Sequence, residues 1–484
     1  MPTPSPAADP APPPASPNLF AAAFAALQAR APALRAEDMA ARRQRLGRLE
    51  SWLVAHRADV QEALHHDFRK PAAETDLTEL WPALTEVRHT RRHLKRWLAP
   101  QAVGTPWALV GTRSWVQLEA KGVVLIIAPW NYPFYLALDP LVSAIAAGNA
   151  VVVKPAEQTP ATSALLRRMA EELFRPDEVL VVEGGQPEAT ALLALPWDHI
   201  FFTGSPAIGK IVMRAAAEHL SGLTLELGGK SPAIVDETAD VRDAAEKLAW
   251  GKFLNAGQTC VAPDYVLVHR SRRDELVAAL REVLHRFYNP ADEGLKQSAS
   301  LARIVNSRHF ARLAALLEDA LERGATLAAG GSADQHQCYI EPTILTDVPA
   351  GAAILEEEIF GPLLPVLAFD TLAEAAAYVN ARPKPLAQYV FSTSRDNQRY
   401  LLDAVAAGGA AVNDTIIQLA HPELPFGGVG NSGLGKAHGY AGLLAFSNEK
   451  AVLKQRVGLT GIKPFYPPYT ARTTRLLGLL LRYL

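Results

Sequence analysis

Residues 123–154 read VVLIIAPWNYPFYLALDPLVSAIAAGNAVVVK, and this stretch decides the fold. Its first five residues, 123–127, are an unbroken branched apolar run, which is typical of a strand buried on both faces. Residues 138–147 have helical spacing and end at Gly148, and residues 150–153 form a second buried strand. A strand, a helix and another strand within about 30 residues predict a parallel β-α-β unit.

The alternation continues on both sides of this unit. Strands that alternate with helices predict a parallel, doubly wound α/β fold, and a length of 484 residues predicts two or three domains. Residues 19–98 have helical spacing. Between the unit and Gly228, helices are predicted at 162–173 and 208–219, and strands at 179–182, 199–203 and 223–227. Beyond Gly228, helices are predicted near 244–253, 273–286, 307–323 and 372–380, and strands near 265–268, 363–369, 388–391 and 410–413.

The charge balance and the cysteine count exclude several classes of protein. Lysine and arginine total 48 against 50 aspartates and glutamates, a formal net charge of −2. We therefore expect no nucleic-acid partner, because such proteins carry a basic surface. The two cysteines, Cys260 and Cys338, are too few for a disulfide framework, which favours a reducing compartment, the cytoplasm. Cys338 begins a predicted strand and is expected to pack, and no metal site is predicted.

The two ends of the chain differ from the rest. Eight prolines fall within residues 1–18, so this segment is predicted to be a disordered tail. No run of 18 or more apolar residues occurs, and hence no segment is expected to span a bilayer. Residues 472–484 place Arg472, Arg475 and Arg482 on one helical face and leucines mostly on the other. Such a helix either attaches to a membrane surface, covers a substrate entrance or docks on a partner subunit.

Two segments lie beyond the carboxyl ends of predicted strands, where doubly wound sheets bind their ligands. Lys154 follows a strand directly, with Glu157 three residues later. Residues 202–210 read FTGSPAIGK, a strand end, a glycine turn and a helix start that suit a pyrophosphate. Their glycine spacing is neither the three-glycine dinucleotide fingerprint nor an ATPase P-loop. A plain strand–helix turn is therefore the alternative interpretation.

A formal GxGxxG pattern occurs at residues 428–433. It follows Pro425-Phe426-Gly427 rather than a strand, so it is not interpreted as a dinucleotide motif. We expect instead a loop that approaches another backbone closely, since glycine permits such an approach.

Cys260 is the candidate nucleophile. It lies in the segment FLNAGQTCVAP, residues 253–263, where small and polar neighbours on a loop expose a thiol. Glu226 lies at the end of the predicted strand 223–227. Its apolar neighbours predict a pKa raised toward that of a general base, and a surface glutamate is the alternative interpretation.

Two more polar side chains follow turns. Asn131 lies in APWNYP, residues 128–133, and is a candidate oxyanion donor together with the backbone N–H of Cys260; a helix cap is the alternative. Glu358 belongs to EEEIFGP, residues 356–362. Three adjacent carboxylates ordinarily mark a solvated face, but the following Ile-Phe-Gly-Pro predicts a turn that brings one carboxylate to a ligand.

Five segments together resemble the NAD(P)-dependent aldehyde dehydrogenase superfamily in both order and spacing. They are PWNYP at 129–133, LELGGK at 225–230, the cysteine segment 253–260, EEIFGP at 357–362 and LPFGG at 424–428. The match covers roughly residues 20–460. Residues 261–265 and 428–435 resemble the class 3 branch, which includes fatty and aromatic aldehyde dehydrogenases and coniferyl aldehyde dehydrogenase-like enzymes.

The resemblance implies a role for each catalytic residue. Cys260 would attack the aldehyde carbon to give a thiohemiacetal, whose oxyanion Asn131 and the Cys260 amide would hold. Loss of a hydride would leave a thioester, and Glu226 would activate the water that hydrolyses it to a carboxylic acid.

The resemblance also implies the cofactor site. The residues that would contact NAD, from the adenosine ribose and pyrophosphate to the nicotinamide end, are Lys154, Glu157, Gly204, Ser205, Gly209, Glu358 and Phe360. Glu157 would repel a 2′-phosphate, which favours NAD, although class 3 members often use both cofactors and NADP stays open.

The fold implied by the resemblance is a Rossmann-like cofactor domain, an α/β catalytic domain and a small oligomerisation element, assembled as a homodimer. The cofactor domain is assigned to residues 19–103 and 121–228 and the catalytic domain to 229–436. The bridging element is assigned to residues 104–120 and 437–463, and the C-terminal tail to 464–484.

Two other functions stay open. A CoA-acylating relative would replace water by CoA, but such relatives typically lack the glutamate that corresponds to Glu226. A non-catalytic structural descendant would not be expected to keep the whole site. The apolar residues Trp130, Tyr132 and Ile416 near the motifs favour a medium-chain or aromatic aldehyde as the substrate.

Overall fold

The computed structural model describes residues 18–106 and 109–483. The predicted disordered tail, residues 1–18, therefore lies almost wholly outside the described residues. The N-terminal region is helical, as predicted for residues 19–98. The second helix begins directly after Asp38. The Asp38 carboxylate accepts a hydrogen bond of 2.8 Å from the Ala41 N–H, which satisfies a donor that has no partner within the helix. The helices are α1 (Ala21–Ala36), α2 (Met39–Ala55), α3 (Arg57–Phe68), α4 (Ala72–Thr75) and α5 (Trp81–Trp97), and strands β1 (Gln101–Val103) and β2 (Thr112–Ala120) follow.

The alternating series between residues 123 and 227 forms a parallel sheet in the strand order 7-6-3-4-5. Its elements are β3 (Val123–Ile127), α6 (Tyr135–Ala147), β4 (Ala150–Lys154), α7 (Pro160–Leu173), β5 (Val179–Val181), α8 (Gln186–Leu193), β6 (His199–Gly204), α9 (Pro206–Glu218) and β7 (Gly222–Leu227). The strands β3 and β4 are buried along their whole length, since apolar clusters cover both faces of the sheet. The doubly wound prediction is confirmed.

The second series forms a seven-stranded sheet in the order 10-13-14-9-8-15-16, parallel except for its first strand. The helices and strands predicted from Gly228 to residue 413 are all present. The additional strands β8 and β13 are short. The elements are β8 (Pro232–Val235), α10 (Val241–Phe253), β9 (Tyr265–His269), α11 (Arg273–Tyr288), α12 (Ser307–Glu322), β10 (Thr326–Ala329), β11 (Ala333–Asp334), β12 (Tyr339–Ile340), β13 (Thr343–Thr346), α13 (Ala353–Glu356), β14 (Leu363–Phe369), α14 (Leu372–Asn380), β15 (Ala387–Phe391), α15 (Arg395–Ala404) and β16 (Gly409–Val412).

The C-terminal segment returns to the earlier parts of the chain. Strand β17 (Gly433–Leu434) extends the first sheet, helix α16 (Gly439–Ala445) packs on α6, and strand β18 (Ser447–Gln455) pairs with β2 in a three-stranded sheet. The chain ends in helix α17 (Ala471–Tyr483). Among the described residues, no helix is long and apolar enough to cross a membrane. A fourth sheet, of two strands, pairs β11 with β12. Strand β17 and helix α16 lie outside the ranges assigned to the cofactor domain, and the domain boundaries stay a prediction.

The glycine pattern at residues 428–433 is a close backbone approach, as expected. Gly433 lies opposite Glu226 in the antiparallel pairing of β17 with β7, and the Leu227 N–H donates to the Ser432 carbonyl at 3.0 Å. A Cβ atom at Gly428 would collide with the Ser432 backbone. The loop therefore covers the edge of β7 where Glu226 lies, and Gly428 and Gly433 leave no room for side chains there.

Candidate active site

The loop that carries Cys260 is conformationally unusual. Directly after α10, Asn255 and Ala256 have φ angles of 51° and 52°, and Gly257 follows at 75°. Non-glycine residues rarely adopt this left-handed region, and they are held there only by surrounding structure. A Cβ atom on Gly257 would collide with the Gly361 carbonyl. The loop thus makes a sharp turn while packed against the segment that follows Glu358.

Buried side chains hold this turn. Gln258 donates to the carbonyls of Asn255 at 2.9 Å and Arg303 at 3.0 Å, and its own side-chain oxygen accepts from the Val305 N–H at 2.9 Å. Glu74 accepts from the Asn255 N–H at 2.9 Å. Glu74 and Gln258 were not predicted as supporting residues. The sequence around Glu74 does not reveal its role, because its partner Asn255 lies 181 positions away.

Cys260 itself is a free, partly exposed cysteine. Burial raises the pKa of the Cys260 thiol, and the carboxylates of Glu226 and Glu358 raise it further, while the N–H groups of Cys260 and Val261 oppose them. Both carboxylates therefore lie near the sulfur. In this state the group is a protonated thiol, so a reaction at Cys260 needs a proton acceptor or a nearby positive charge.

Glu226 is buried at the end of β7, with 4% of its surface exposed. Within the described part of the chain, its Oε1 atom has no hydrogen-bond partner. Burial raises the pKa of Glu226 well above its ordinary value, Asp139 raises it further, and Lys436 opposes them. A buried carboxyl with a free oxygen and a raised pKa is suited to accept a proton from water near Cys260.

Asn131 joins the cysteine loop rather than capping a helix. Its Nδ2 atom donates to the Gln258 carbonyl at 3.1 Å, and its own carbonyl accepts from Asn255 Nδ2 at 2.8 Å. The residue at the N-terminus of α6 is Phe134, and it makes no side-chain cap. An amide has two N–H donors, so Asn131 keeps a second N–H to donate while it is bonded to the cysteine loop. Next to it, the Tyr132 hydroxyl bonds to Thr259 Oγ1 at 2.6 Å.

Glu358 turns inward although its neighbours Glu356 and Glu357 are exposed, as the triple carboxylate and its turn had indicated. Burial and the nearby Asp264 raise the pKa of Glu358 to about 8, and the Gly229 N–H opposes them. A Cβ atom at Gly228 would collide with the Glu358 carboxylate. The glycine pair 228–229 therefore exists to let this carboxylate approach.

Phe360 belongs to a group of aromatic side chains with Trp130 and His309, of which His309 was not predicted to lie at the site. Its ring meets Trp130 edge to face at 5.3 Å, and His309 packs on the other side of Trp130 at 4.6 Å. Phe360 has a φ angle of 52°. Burial, with Arg312 and Arg308, lowers the pKa of His309 to about 4, so this imidazole is neutral and packs like an aromatic side chain.

Lys230 and Arg312 anchor the segment that contains Glu358 and Phe360. The Lys230 ammonium contacts Asp264 and donates to the carbonyls of Ile354 at 2.9 Å and Glu357 at 2.7 Å. Arg312 donates to the carbonyls of Glu358 and Ile359. This anchoring role of Lys230 was not predicted, because a sequence does not show which distant carbonyls a lysine reaches.

The predicted adenosine and pyrophosphate residues lie together at the carboxyl edge of the first sheet. Lys154 ends β4, is 4% exposed and donates to Glu157 at 2.9 Å. Partial burial, the largest single influence, pushes the pKa of Glu157 upward, but the hydrogen bond and charge of Lys154, together with hydrogen bonds from the Glu157 N–H and Gln158, leave the pKa lowered. Because β4 and β6 are parallel members of one sheet, this pair lies at the same edge as Gly204.

The glycine turn between β6 and α9 has the predicted order of strand, turn and helix start. Ser205 is the residue before the helix, and its hydroxyl accepts from the Ile208 N–H at 3.4 Å. A Cβ atom at Gly204 would collide with the Phe202 ring, and one at Gly209 with Leu227. The turn leaves a helix N-terminus with backbone N–H groups directed outward, which is the donor set that a pyrophosphate requires.

A buried polar cluster behind Glu226 was not predicted. The Tyr135 hydroxyl lies 3.3 Å from His438 Nε2, and His438 lies 3.8 Å from Asp139. Burial raises the pKa of Asp139 to about 7, and burial with the charge of Asp139 raises the pKa of Glu86 to about 7. Of these two acids, Asp139 is the one whose charge raises the pKa of Glu226.

The comparisons with known proteins agree with this geometry. The family described as "Aldehyde dehydrogenase family" matches residues 12–452. The chain is 44% identical over 437 residues to 4,4'-diaponeurosporen-aldehyde dehydrogenase of Staphylococcus aureus, covering 90% of this chain and 94% of the relative. It is 42% identical to the probable coniferyl aldehyde dehydrogenase of Pseudomonas aeruginosa, covering 89% and 90%.

Two further matches extend the comparison. The dimeric NADP-preferring aldehyde dehydrogenase of Canis lupus familiaris is 40% identical, covering 89% of this chain and 94% of the relative. The solved structure of the substrate-bound state of Staphylococcus aureus AldH superposes with a TM-score of 0.91 at 41% identity, covering 96% and 100%. The expected family and fold are both confirmed. The chain therefore belongs to the aldehyde dehydrogenase family, on its class 3-like branch, and is an NAD(P)-dependent aldehyde dehydrogenase.

Proposed function

We propose that this enzyme oxidises its aldehyde through a thioester on Cys260, with Glu226 as the general base and Asn131 as the oxyanion donor. One observation supports this most strongly. A single loop presents the Cys260 thiol to two buried carboxylates that act on its charge, and the Asn131 amide is hydrogen-bonded to that same loop. A nucleophile, a base and a donor are each supplied once.

Each step uses groups of this chain. The Cys260 thiol gives its proton to water and its sulfur bonds to the aldehyde carbon, and the carbonyl oxygen becomes an oxyanion that Asn131 Nδ2 and the Cys260 N–H stabilise. NAD(P)⁺ held by Lys154, Glu157 and Glu358 would supply the hydride acceptor, and loss of the hydride from that carbon would leave a thioester. Water then adds to the thioester carbon while Glu226 takes a proton from it, and the C–S bond breaks to give a carboxylic acid.

The residues at the sheet edge fit a dinucleotide. The glycine turn 204–209 would cradle the pyrophosphate, Lys154 and Glu157 would hold the adenosine ribose, and Glu358 would hold the nicotinamide ribose beside Phe360. The inward-turned Glu358 carboxylate, which lies against Gly228, supports this. We propose a preference for NAD, since the Glu157 carboxylate would repel a 2′-phosphate.

We propose an apolar aldehyde, medium-chain aliphatic or aromatic, as the substrate. Of the three residues that first favoured this substrate, Tyr132 and Ile416 are buried, and only Trp130 is partly exposed. Trp130 with His309 and Phe360 would form the apolar wall. Steady-state kinetics with NAD over aliphatic chain lengths and substituted benzaldehydes tests this. A fall in kcat/KM with increasing apolar size, or no NADH formed from any aldehyde by folded protein, would reject the proposal.

We also propose a cytoplasmic homodimer whose C-terminal helix packs on the partner subunit. A relative described as dimeric and the leucines exposed on α17, with Leu481 78% exposed, support this. The reducing conditions of the cytoplasm would keep both cysteines as free thiols. Light scattering of the intact chain and of a chain lacking residues 472–484 tests the dimer. Sedimentation with anionic liposomes tests the alternative: binding that depends on the helix would mean membrane attachment instead.

A further inference from the structure

His89 and His93 on α5 and Glu423 on a nearby loop form a cluster outside the site described above. One ligand atom from each residue lies within 4.8 Å of the other two. The two histidines are four residues apart on the helix, so their rings lie on one face, with centroids 4.3 Å apart. We propose that these three side chains bind a divalent transition cation of the zinc type.

Each of the two imidazoles has a ring nitrogen free to coordinate a metal. His93 Nδ1 lies 2.9 Å from the His89 carbonyl, and donation to that carbonyl leaves the Nε2 lone pair free, as in many metal-ligating histidines. His89 Nε2 is buried and, among the described residues, has no hydrogen-bond partner.

The donor set selects the class of cation. Two imidazole nitrogens and one carboxylate oxygen are a set that zinc takes, with a fourth position left for water. Zinc ligands lie about 2.0–2.2 Å from the metal, so small side-chain rotations would close the cluster. Glu423 is exposed on its loop and is free to make such a rotation.

A cation here would join two parts of the molecule. His89 and the Pro422 carbonyl both lie against Gly439, so the loop already rests on α5. The turn just before that loop reaches the catalytic domain, where Gln418 donates to the Tyr389 hydroxyl at 3.2 Å and Tyr389 donates to the Val261 carbonyl. The site would therefore fix a segment that ends beside the cysteine loop.

The test is a cobalt(II) titration of the full chain carrying Cys260→Ser, which removes a thiol that itself binds soft metals. We expect the absorption of a single four-coordinate cobalt site and its displacement by zinc. Adding His93→Ala, or separately Glu423→Gln on the exposed loop, should weaken binding at least about tenfold. Adding His66→Ala, a surface histidine with 73% of its side chain exposed, should change nothing.

Two results would overturn the proposal. One is no cobalt binding to the Cys260→Ser parent, and the other is equal binding by the parent and both ligand variants. Because no turnover is measured, either outcome is independent of whether the proposed thioester mechanism is right.

Discussion

At the scale of single residues, the site without substrate disfavours the ionised forms of its side chains. Burial raises the pKa values of Cys260, Glu226 and Glu358, so each group holds its proton more tightly than it would in water. The thiol needs a partner that takes its proton, and the positive charge of an oxidised nicotinamide would favour the thiolate. The residue types at this site could be predicted from short motifs, but their protonation could not, because it depends on burial by distant segments.

The turn at Gly257 gives a prediction about stability. Gly257→Ala would place a methyl group against the Gly361 carbonyl at a φ of 75°. A left-handed φ alone costs roughly 1–2 kcal/mol, and the collision adds to this cost. Gly294→Ala is the matched control, since Gly294 has a φ of 91° and open space around its Cβ position. Urea denaturation should show the larger loss for Gly257→Ala, and equal losses would contradict the account of the turn.

Glu157 gives a prediction about cofactor choice. Glu157→Gln removes the charge that would face a 2′-phosphate while keeping a partner for Lys154. The ratio of kcat/KM for NAD to that for NADP should fall about tenfold, a modest change because Glu157 is half exposed and water screens its charge. Glu183→Gln, a surface change in the same domain, serves as the control. An unchanged ratio in the Glu157 variant would remove Glu157 from the ribose site.

At the scale of elements, the longer and more fully buried strands were the ones that could be predicted. Strands β3 and β4 could be predicted because an unbroken apolar run is typical of a strand covered on both faces. Strand β8 was missed because it has four residues and begins at Pro232, and β13 because two of its four residues are threonines. The left-handed residues Asn255 and Ala256 could not be predicted, since contacts from elsewhere hold them.

Lys230 gives a prediction at this scale. Lys230→Met would remove a buried ammonium from Asp264 and from two carbonyls, at a cost of about 3–5 kcal/mol in unfolding free energy. The NAD dissociation constant should rise as well, because the segment with Glu358 loses its anchor. Lys296→Met breaks a partly exposed pair with Asp334 and should cost less than about 1 kcal/mol. Denaturation curves with similar losses for both variants would contradict this role.

At the scale of the whole molecule, the site is assembled from segments that are far apart in sequence. Glu74 bonds to Asn255 and Asn131 to Gln258, 181 and 127 positions away. The order and spacing of five motifs were enough to predict the family and the fold, whereas the roles of the site residues stay predictions. The supporting residues Glu74, Lys230, His309 and Arg312 were missed, because nothing in their local sequence records a tertiary partner.

The buried acids give a prediction about stability and pH. Burial raises the pKa of Asp139 from 3.8 to about 7, so the folded state binds this proton more tightly than the unfolded state does. That stabilisation is fully present below the unfolded pKa and is lost as the pH rises through about 7. Between pH 5 and pH 8 it amounts to about 2–3 kcal/mol.

Asp139→Asn should therefore reduce the fall in unfolding free energy between pH 5 and pH 8 by that amount. Asp274→Asn, a change at a fully exposed carboxylate, is the control and should follow the parent. Urea denaturation at the two pH values measures both. An Asp139→Asn variant with the parent's full pH dependence would mean that Asp139 is not protonated in the folded protein.

The most direct test of the thioester mechanism is the accumulation of an acyl group on Cys260 in the Glu226→Gln variant. Mixing this variant with NAD and an aldehyde should give a rapid burst of NADH, close to one per site, followed by turnover about 10²–10⁴-fold slower than the parent. Mass spectrometry of the quenched protein should find the acyl group on the peptide that contains Cys260. Glu357→Gln, at an exposed neighbour of Glu358, should turn over like the parent. Unchanged turnover by Glu226→Gln, or a burst without an acyl group on Cys260, would contradict the account.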